Sequence, residues 1–273
     1  NEEFGGWVGG GWPVIDVVLS KSKNISEAMQ AISKAPETTT SRSGKTIRVR
    51  EAAIRYANVL NAAEPAYVKN ILPQHKSVVD RAMAYVAANF AAKERECLAY
   101  LTTNLGMEDT DYRVPMFFVA ETPWPGGFTF WNDTRRGTVV ISVEANQGSL
   151  LFEAMLHEAI HALDLETQTK GSVLEEIRDR LRKAGVAEND ITMTQGTHLL
   201  VFMQAGETVR RLVDGSHQHY GDARGVYAQG VLQPLMNVAR PTWMDYLDNK
   251  ITREKAVEQI ADGYLKSRKA TPN

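Results

Sequence analysis

The chain reads as a mostly helical α+β fold, and three observations lead there. From about Ile47 to Leu105, apolar residues recur at three- and four-residue spacing, the period of amphipathic helices. From Arg113 to Val143 the texture changes to short β-branched and aromatic runs separated by Gly, Pro, Asn and Asp, which is the pattern of short strands and turns. From Ser149 onward helical patterning returns. Residues 1–108 are expected to form a mainly helical subdomain. Residues 109–273 are expected to form a core with a helical C-terminal part, and the two parts also fit one compact unit.

The elements follow in order. The glycine-rich opening from Phe4 to Pro13 argues for loop, with Trp7 and Trp12 as packing anchors. Ser26 opens a short helix through Ser33. Pro36 to Lys45 is polar and reads as an exposed loop. Arg48–Ala62, Lys76–Phe90 and Ala92–Leu105 read as helices, with Pro73 breaking the middle. His75 beside that proline is expected on a surface turn. Strands are expected over 113–120, 128–131 and 138–143. A long apolar helix surrounds residues 149–163. Ser172–Lys183 reads as a charged amphipathic helix with a solvated face. Thr194–Asp214 reads as a second buried helix, followed by a histidine-bearing loop, Gly215–Gly221. Arg224–Val238, Thr242–Leu247 and Arg253–Ser267 complete the chain as helices.

Composition narrows the function classes. With 31 basic and 33 acidic residues the formal net charge is −2, which argues against a nucleic-acid surface or a polybasic membrane patch. No apolar run reaches the roughly 18 residues of a membrane span. The hydrophobic share of 43 % is enough for a sizeable core. The single cysteine, Cys97, precludes an intramolecular disulfide and is expected to face the core from a helix. The first residue is Asn1 rather than Met, which fits a removed leader or a trimmed chain. A secreted or periplasmic location is the expectation that goes with leader removal. Asn24-Ile25-Ser26 and Asn132-Asp133-Thr134 match the glycosylation pattern, which matters only in a secreted eukaryotic protein.

The chemistry is concentrated in His157-Glu158-Ala159-Ile160-His161, an H-E-x-x-H within Leu-, Ala- and Met-rich surroundings. On a helix, positions four apart share a face, so both imidazoles can grip one metal ion. Neutral imidazoles suit Zn²⁺, and Glu158 is placed to take a proton from an attacking water. The plainer alternative is two core histidines satisfied by hydrogen bonds. The motif and its setting resemble the active-site helix of zincin metallopeptidases. That resemblance implies a zincin-like core, with short strands leading into the helix and an edge strand that pairs with an extended peptide. Phe128–Asn132 and Thr138–Val143 are both candidates for that edge.

A catalytic zinc usually has three protein ligands and one open position. The metzincin continuation is absent, because Asp164 and Thr167 stand where it needs glycine and histidine. The resemblance to the gluzincin branch implies a glutamate from a later helix. Glu207 is the expected ligand, in an apolar helix where an unpaired carboxylate is costly. Its alternative is a salt bridge to Arg210 or Arg211. His198, nine residues earlier on the same helix, is another ligand candidate, or a hydrogen-bonded buried histidine, but it lies on roughly the opposite face, so it and Glu207 are not expected to bind one ion. His217 and His219 are further ligand candidates. Asp164 is a candidate to orient a ligand histidine. His219 and Tyr220 are the expected oxyanion donors, with Tyr227 a further candidate.

The expected function is therefore a zinc-dependent peptidase acting on peptide or protein substrates. It would have His157, His161 and Glu207 as ligands and Glu158 as general base. Two rivals stay open: a hydrolase of other amides on the same scaffold, and a zincin-like binding protein without turnover.

Overall fold

A computed structural model of the chain describes residue 22 and residues 24–34, 36–40, 46–107, 113–122, 126–131, 137–164, 171–230 and 232–270. Trp7, Trp12, the tip of the expected 36–45 loop, the second glycosylation match and Thr167 lie outside the described residues. The chain divides into two compact units, Asn1–Val78 with Phe130–Arg136 and Val79–Thr129 with Gly137–Asn273. Residues 94–105 pack on the long helix of the second unit described below.

In the first unit, helix α1 (Ile25–Ser33) starts at Asn24, whose Oδ1 accepts the Glu27 N–H at 2.9 Å. That bond satisfies a donor the helix start would otherwise leave open. Ile32 packs on Ala53 and Ala57 of helix α2 (Val49–Asn70), where the small side chains allow close approach. The expected loop at 36–45 is in part a hairpin. Strands β1 (Thr38–Thr40) and β2 (Thr46–Arg48) pair antiparallel, with Thr38 opposite Arg48. Threonine is β-branched and favours extended backbone, a preference that outweighed the polar, turn-like composition. The helical break falls at Ile71. Pro73 is the second residue of helix α3 (Leu72–Asn89), where its missing N–H costs no helical bond. His75 lies in the first turn of α3, and its Nδ1 meets the Tyr67 hydroxyl at 3.3 Å.

The second unit carries the chemistry. Helix α4 (Glu94–Leu105) buries Cys97, Leu101 and Leu105 and ends at Gly106, whose φ of 63° suits glycine. Burial pushes the Cys97 thiol up to about 11, so it is an inert core group. Strands β3 (Met116–Val119), β4 (Gly127–Trp131) and β5 (Gly137–Ser142) form a sheet in the order β3-β5-β4. β3 runs parallel to β5, with Met116 opposite Val139. The centre is β5, whose Val139 and Ile141 are wholly buried. β4 is an edge strand among the described residues.

Helix α5 (Ser149–Leu163) packs against β5 on one side and helix α7 (Ile191–Leu212) on another. A Cβ at Gly137 would lie 2.4 Å from that of Ala162, so only glycine lets the strand start this close to the helix end. Helix α6 (Val173–Lys183) buries Val173, Leu174, Ile177 and Leu181, turns Asp179, Arg180 and Lys183 outward, and points Arg178 inward against the buried Asp164. A short helix α8 (Tyr220–Ala223) and a 3₁₀ turn (Val226–Ala228) lead to helix α9 (Gln233–Leu247). Residues 242–247, expected as a separate helix, continue α9 through Pro241. Helix α10 (Arg253–Ala270) packs on α9 and α6. Its Tyr264 donates to the Gly196 carbonyl of α7 at 2.8 Å.

The second unit is thus mainly helical with a small three-stranded sheet. No helix among the described residues is long and apolar enough to cross a membrane.

Candidate metal centre

The four-residue spacing on α5 does what helical geometry requires, and His157 and His161 project from one face. α7 lies against that face and brings His198 to the same point. His157 Nε2 is 3.0 Å from His198 Nε2 and 3.1 Å from His161 Nε2. The ligand-capable atoms of the three residues lie within 4.8 Å of one another. Tetrahedral zinc, with bonds of about 2.0–2.1 Å, spaces its nitrogens by about 3.3–3.4 Å, so this group can hold one metal ion.

Hydrogen bonding alone accounts for the cluster poorly. His157 Nε2 faces two other ring nitrogens, and a neutral ring nitrogen either donates one hydrogen or accepts. His157 Nδ1 is buried with no partner among the described residues. A cation held by the three Nε2 atoms uses all three lone pairs. The electrostatics agree. Burial pulls His161 down to about 4, with the Arg178 guanidinium adding to the effect. It pulls His198 down to about 3, reinforced by His161. His157 is held well below the usual range, first by burial and then by the other two rings. All three are therefore neutral at neutral pH and carry lone pairs that could bind a cation.

Glu158 lies beside the cluster and bonds to the edge strand. The Thr129 hydroxyl of β4 is 2.7 Å from Glu158 Oε2 and 2.9 Å from the Glu158 backbone oxygen. Burial pushes the Glu158 carboxyl up to about 7, against the opposing pull of the Thr129 bond. A carboxyl poised there exchanges protons readily near neutral pH. A cavity of about 450 Å³ opens onto these groups. Gly126, Gly127, Phe128 and Thr129 form one wall, and Phe202, Tyr220 and Val226 form the other. The Phe202 ring lies 4.2 Å from that of His157 and 4.9 Å from that of His198, an apolar flank to the cluster.

Glu207, the expected third ligand, is not part of this group. Its carboxylate accepts from Arg210 Nη2 at 2.5 Å, Arg211 Nε at 2.8 Å and His219 Nε2 at 3.0 Å. Burial alone would raise this carboxyl. The bonds from His219, Arg210 and Arg211 outweigh it and hold Glu207 well below the usual carboxylate range. The physical reason is the helix period. His198 and Glu207 face opposite ways, and it is the His198 face that α7 turns to α5. His219, the expected oxyanion donor, sits with Glu207 rather than at the cavity. It is the buried partner of Glu207, lies against Gly206 and does not line the cavity.

Tyr220 does line the cavity, and its hydroxyl makes no hydrogen bond among the described residues. His217 bonds Glu153 and Ser149 instead of joining the metal group. Tyr227 is buried with its hydroxyl unpartnered among the described residues. Asp164 accepts from Arg178 Nη2 at 2.7 Å, which holds that guanidinium near His161.

The sequence points to Glu207 ahead of His198 and does not single out Thr129, Phe202 or Glu153. One signal was present. Arg210 and Arg211, three and four residues past Glu207, already satisfy its charge along its own helix. His198 and Phe202, four apart, form the other face. Compared with protein-family models, curated proteins and solved structures, the chain matches none.

Proposed function

We propose that this chain is a zinc-dependent metallopeptidase of zincin-like design, with His157, His161 and His198 as the zinc ligands and Glu158 as general base. The observation that carries the reading is the convergence of three neutral imidazoles with a buried, protonatable carboxyl beside them. Three histidines and an open position are a catalytic zinc set. Bound zinc would supply a Lewis acid that polarises the scissile carbonyl and activates a water.

The chain's own residues do the rest. Glu158 accepts a proton from the water as it attacks the carbonyl carbon, and the Thr129 hydroxyl steadies the carboxyl in that orientation. The proton then passes from Glu158 to the leaving nitrogen as the C–N bond breaks. The free Tyr220 hydroxyl donates to the developing oxyanion. β4, as an edge strand along the cavity, offers backbone groups to an extended peptide.

Elemental mass spectrometry on protein purified without chelator or metal-affinity resin tests this directly. About one zinc per chain is expected. His198→Ala should lose it, and Glu207→Ala should keep it. Failure of the wild-type protein to bind zinc overturns the reading. A zinc-loaded protein that is inert on broad peptide pools would favour a binding protein or a hydrolase of other amides.

A further inference from the structure

The face of α5 that carries His157 and His161 carries another polar residue one turn earlier, Glu153. Its side chain is 1 % exposed, and a carboxylate so dry is costly unless well paired. Its Oε2 accepts from His217 Nε2 at 2.6 Å and from the Tyr220 backbone N–H at 2.7 Å. His217 Nδ1 in turn lies 2.9 Å from Oγ of Ser149, the first residue of α5. Ser149 and Glu153 are therefore two anchors, one helical turn apart, that bind segment 217–220 to the metal-bearing helix.

What the segment delivers is Tyr220. The helix it opens, α8, has four residues and cannot hold a side chain in place by its own bonds. The Tyr220 ring stacks on Phe202 at 6.0 Å and 19°, and the Arg224 guanidinium lies 5.7 Å from the ring centre. These contacts orient the ring, and among the described residues the bond to Glu153 is the one that ties the Tyr220 backbone to α5.

We propose that Glu153, with His217 and Ser149, is a positioning clamp that fixes Tyr220 beside the three histidines, with its free hydroxyl turned to the substrate carbonyl. The proposal rests on the reading of Tyr220 as oxyanion donor. Glu153 also lines the cavity, and its Oε1 has no partner among the described residues; its role in the clamp runs through Tyr220, not through the reacting atoms.

Hydrogen–deuterium exchange with mass-spectrometric readout, together with peptidase kinetics on the zinc-loaded full chain, tests it. In Glu153→Ala, exchange of the amides at 217–221 should rise at least about tenfold, because their anchor is gone. Peptides covering 157–161 and 198–202, and the zinc content, should stay as in wild type. kcat should fall with KM little changed, and Glu153→Gln, which keeps an acceptor for the Tyr220 N–H, should restore much of both. Tyr220→Phe should reproduce the kcat loss with exchange unchanged. Adding Glu153→Ala to it should then cost little more.

Unchanged exchange at 217–221 overturns the clamp. So does a full additional kcat loss in the double variant, since Glu153 would then act by another route. If Glu153→Ala does not fold, His217→Gln and Ser149→Ala carry the same comparison. A wild-type protein without peptidase activity overturns the proposed function, whereas the exchange experiment decides the clamp independently.

Discussion

At the scale of single residues, the division of labour between Glu158 and Glu207 shows how surroundings set the role of a carboxylate. Both are buried. Glu158 has one hydroxyl partner and is pushed up to about 7, so it can both take and give a proton near neutral pH. Glu207 has three cationic or N–H partners and stays charged. Glu158→Gln should keep the metal and lower kcat by about 10²–10⁴-fold, the usual worth of a general base. Stopped assays on zinc-loaded variant protein check it, and retained activity would sink the assignment. Thr129→Val should cost less, because it removes only the group that steadies Glu158.

The element scale is a matter of how closely helices approach. α7 meets α5 through His198 and Phe202 on one face. It meets α10 through Gly196, where an added Cβ would lie 2.6 Å from the Tyr264 ring. Gly196→Ala is therefore expected to destabilise by about 1–3 kcal/mol, the range for overpacking a filled site. Tyr264→Phe should cost about 1 kcal/mol for its lost bond to the Gly196 carbonyl. Urea unfolding of both variants checks the order. If Gly196→Ala is as stable as wild type, the contact is softer than it looks.

For the whole molecule, two linkages follow. The first is to pH. The Glu207 carboxyl is held below its unfolded range by His219, Arg210 and Arg211. Its stabilising contribution is fully present above the unfolded value, about 4.3. It is lost as pH falls below that value towards the depressed folded one. Urea midpoints measured from pH 7 down to pH 3 should fall in wild type. They should fall less steeply in Glu207→Gln, which has no carboxylate to protonate. Equal slopes would remove Glu207 from the acid limb. The second linkage is to zinc. A ligand that binds only the folded chain stabilises it by mass action, about 2.7 kcal/mol at a hundredfold excess over its Kd. Tm should rise with added zinc in wild type and stay still in His198→Ala.

What the sequence determined by itself is whatever depends on neighbours within a few turns of chain. The helical stretches, the three short strands, the inert Cys97 and the shared face of His157 and His161 follow from period, propensity and composition. The sequence also placed His198 and Glu207 on roughly opposite faces of their helix. What it could not say is which of those two faces α7 turns to α5, because that depends on packing between helices separated by a charged helix and its loops. The tertiary structure turned the His198 face of α7 to α5, left Glu207 with its arginines and His219, and made β4 rather than β5 the edge beside the cavity. It also brought Ser149 and Glu153 to a segment more than sixty residues away. The physical reason is the same in each case: local pattern sets which side chains share a face, and only the burial of whole faces against one another sets which faces meet.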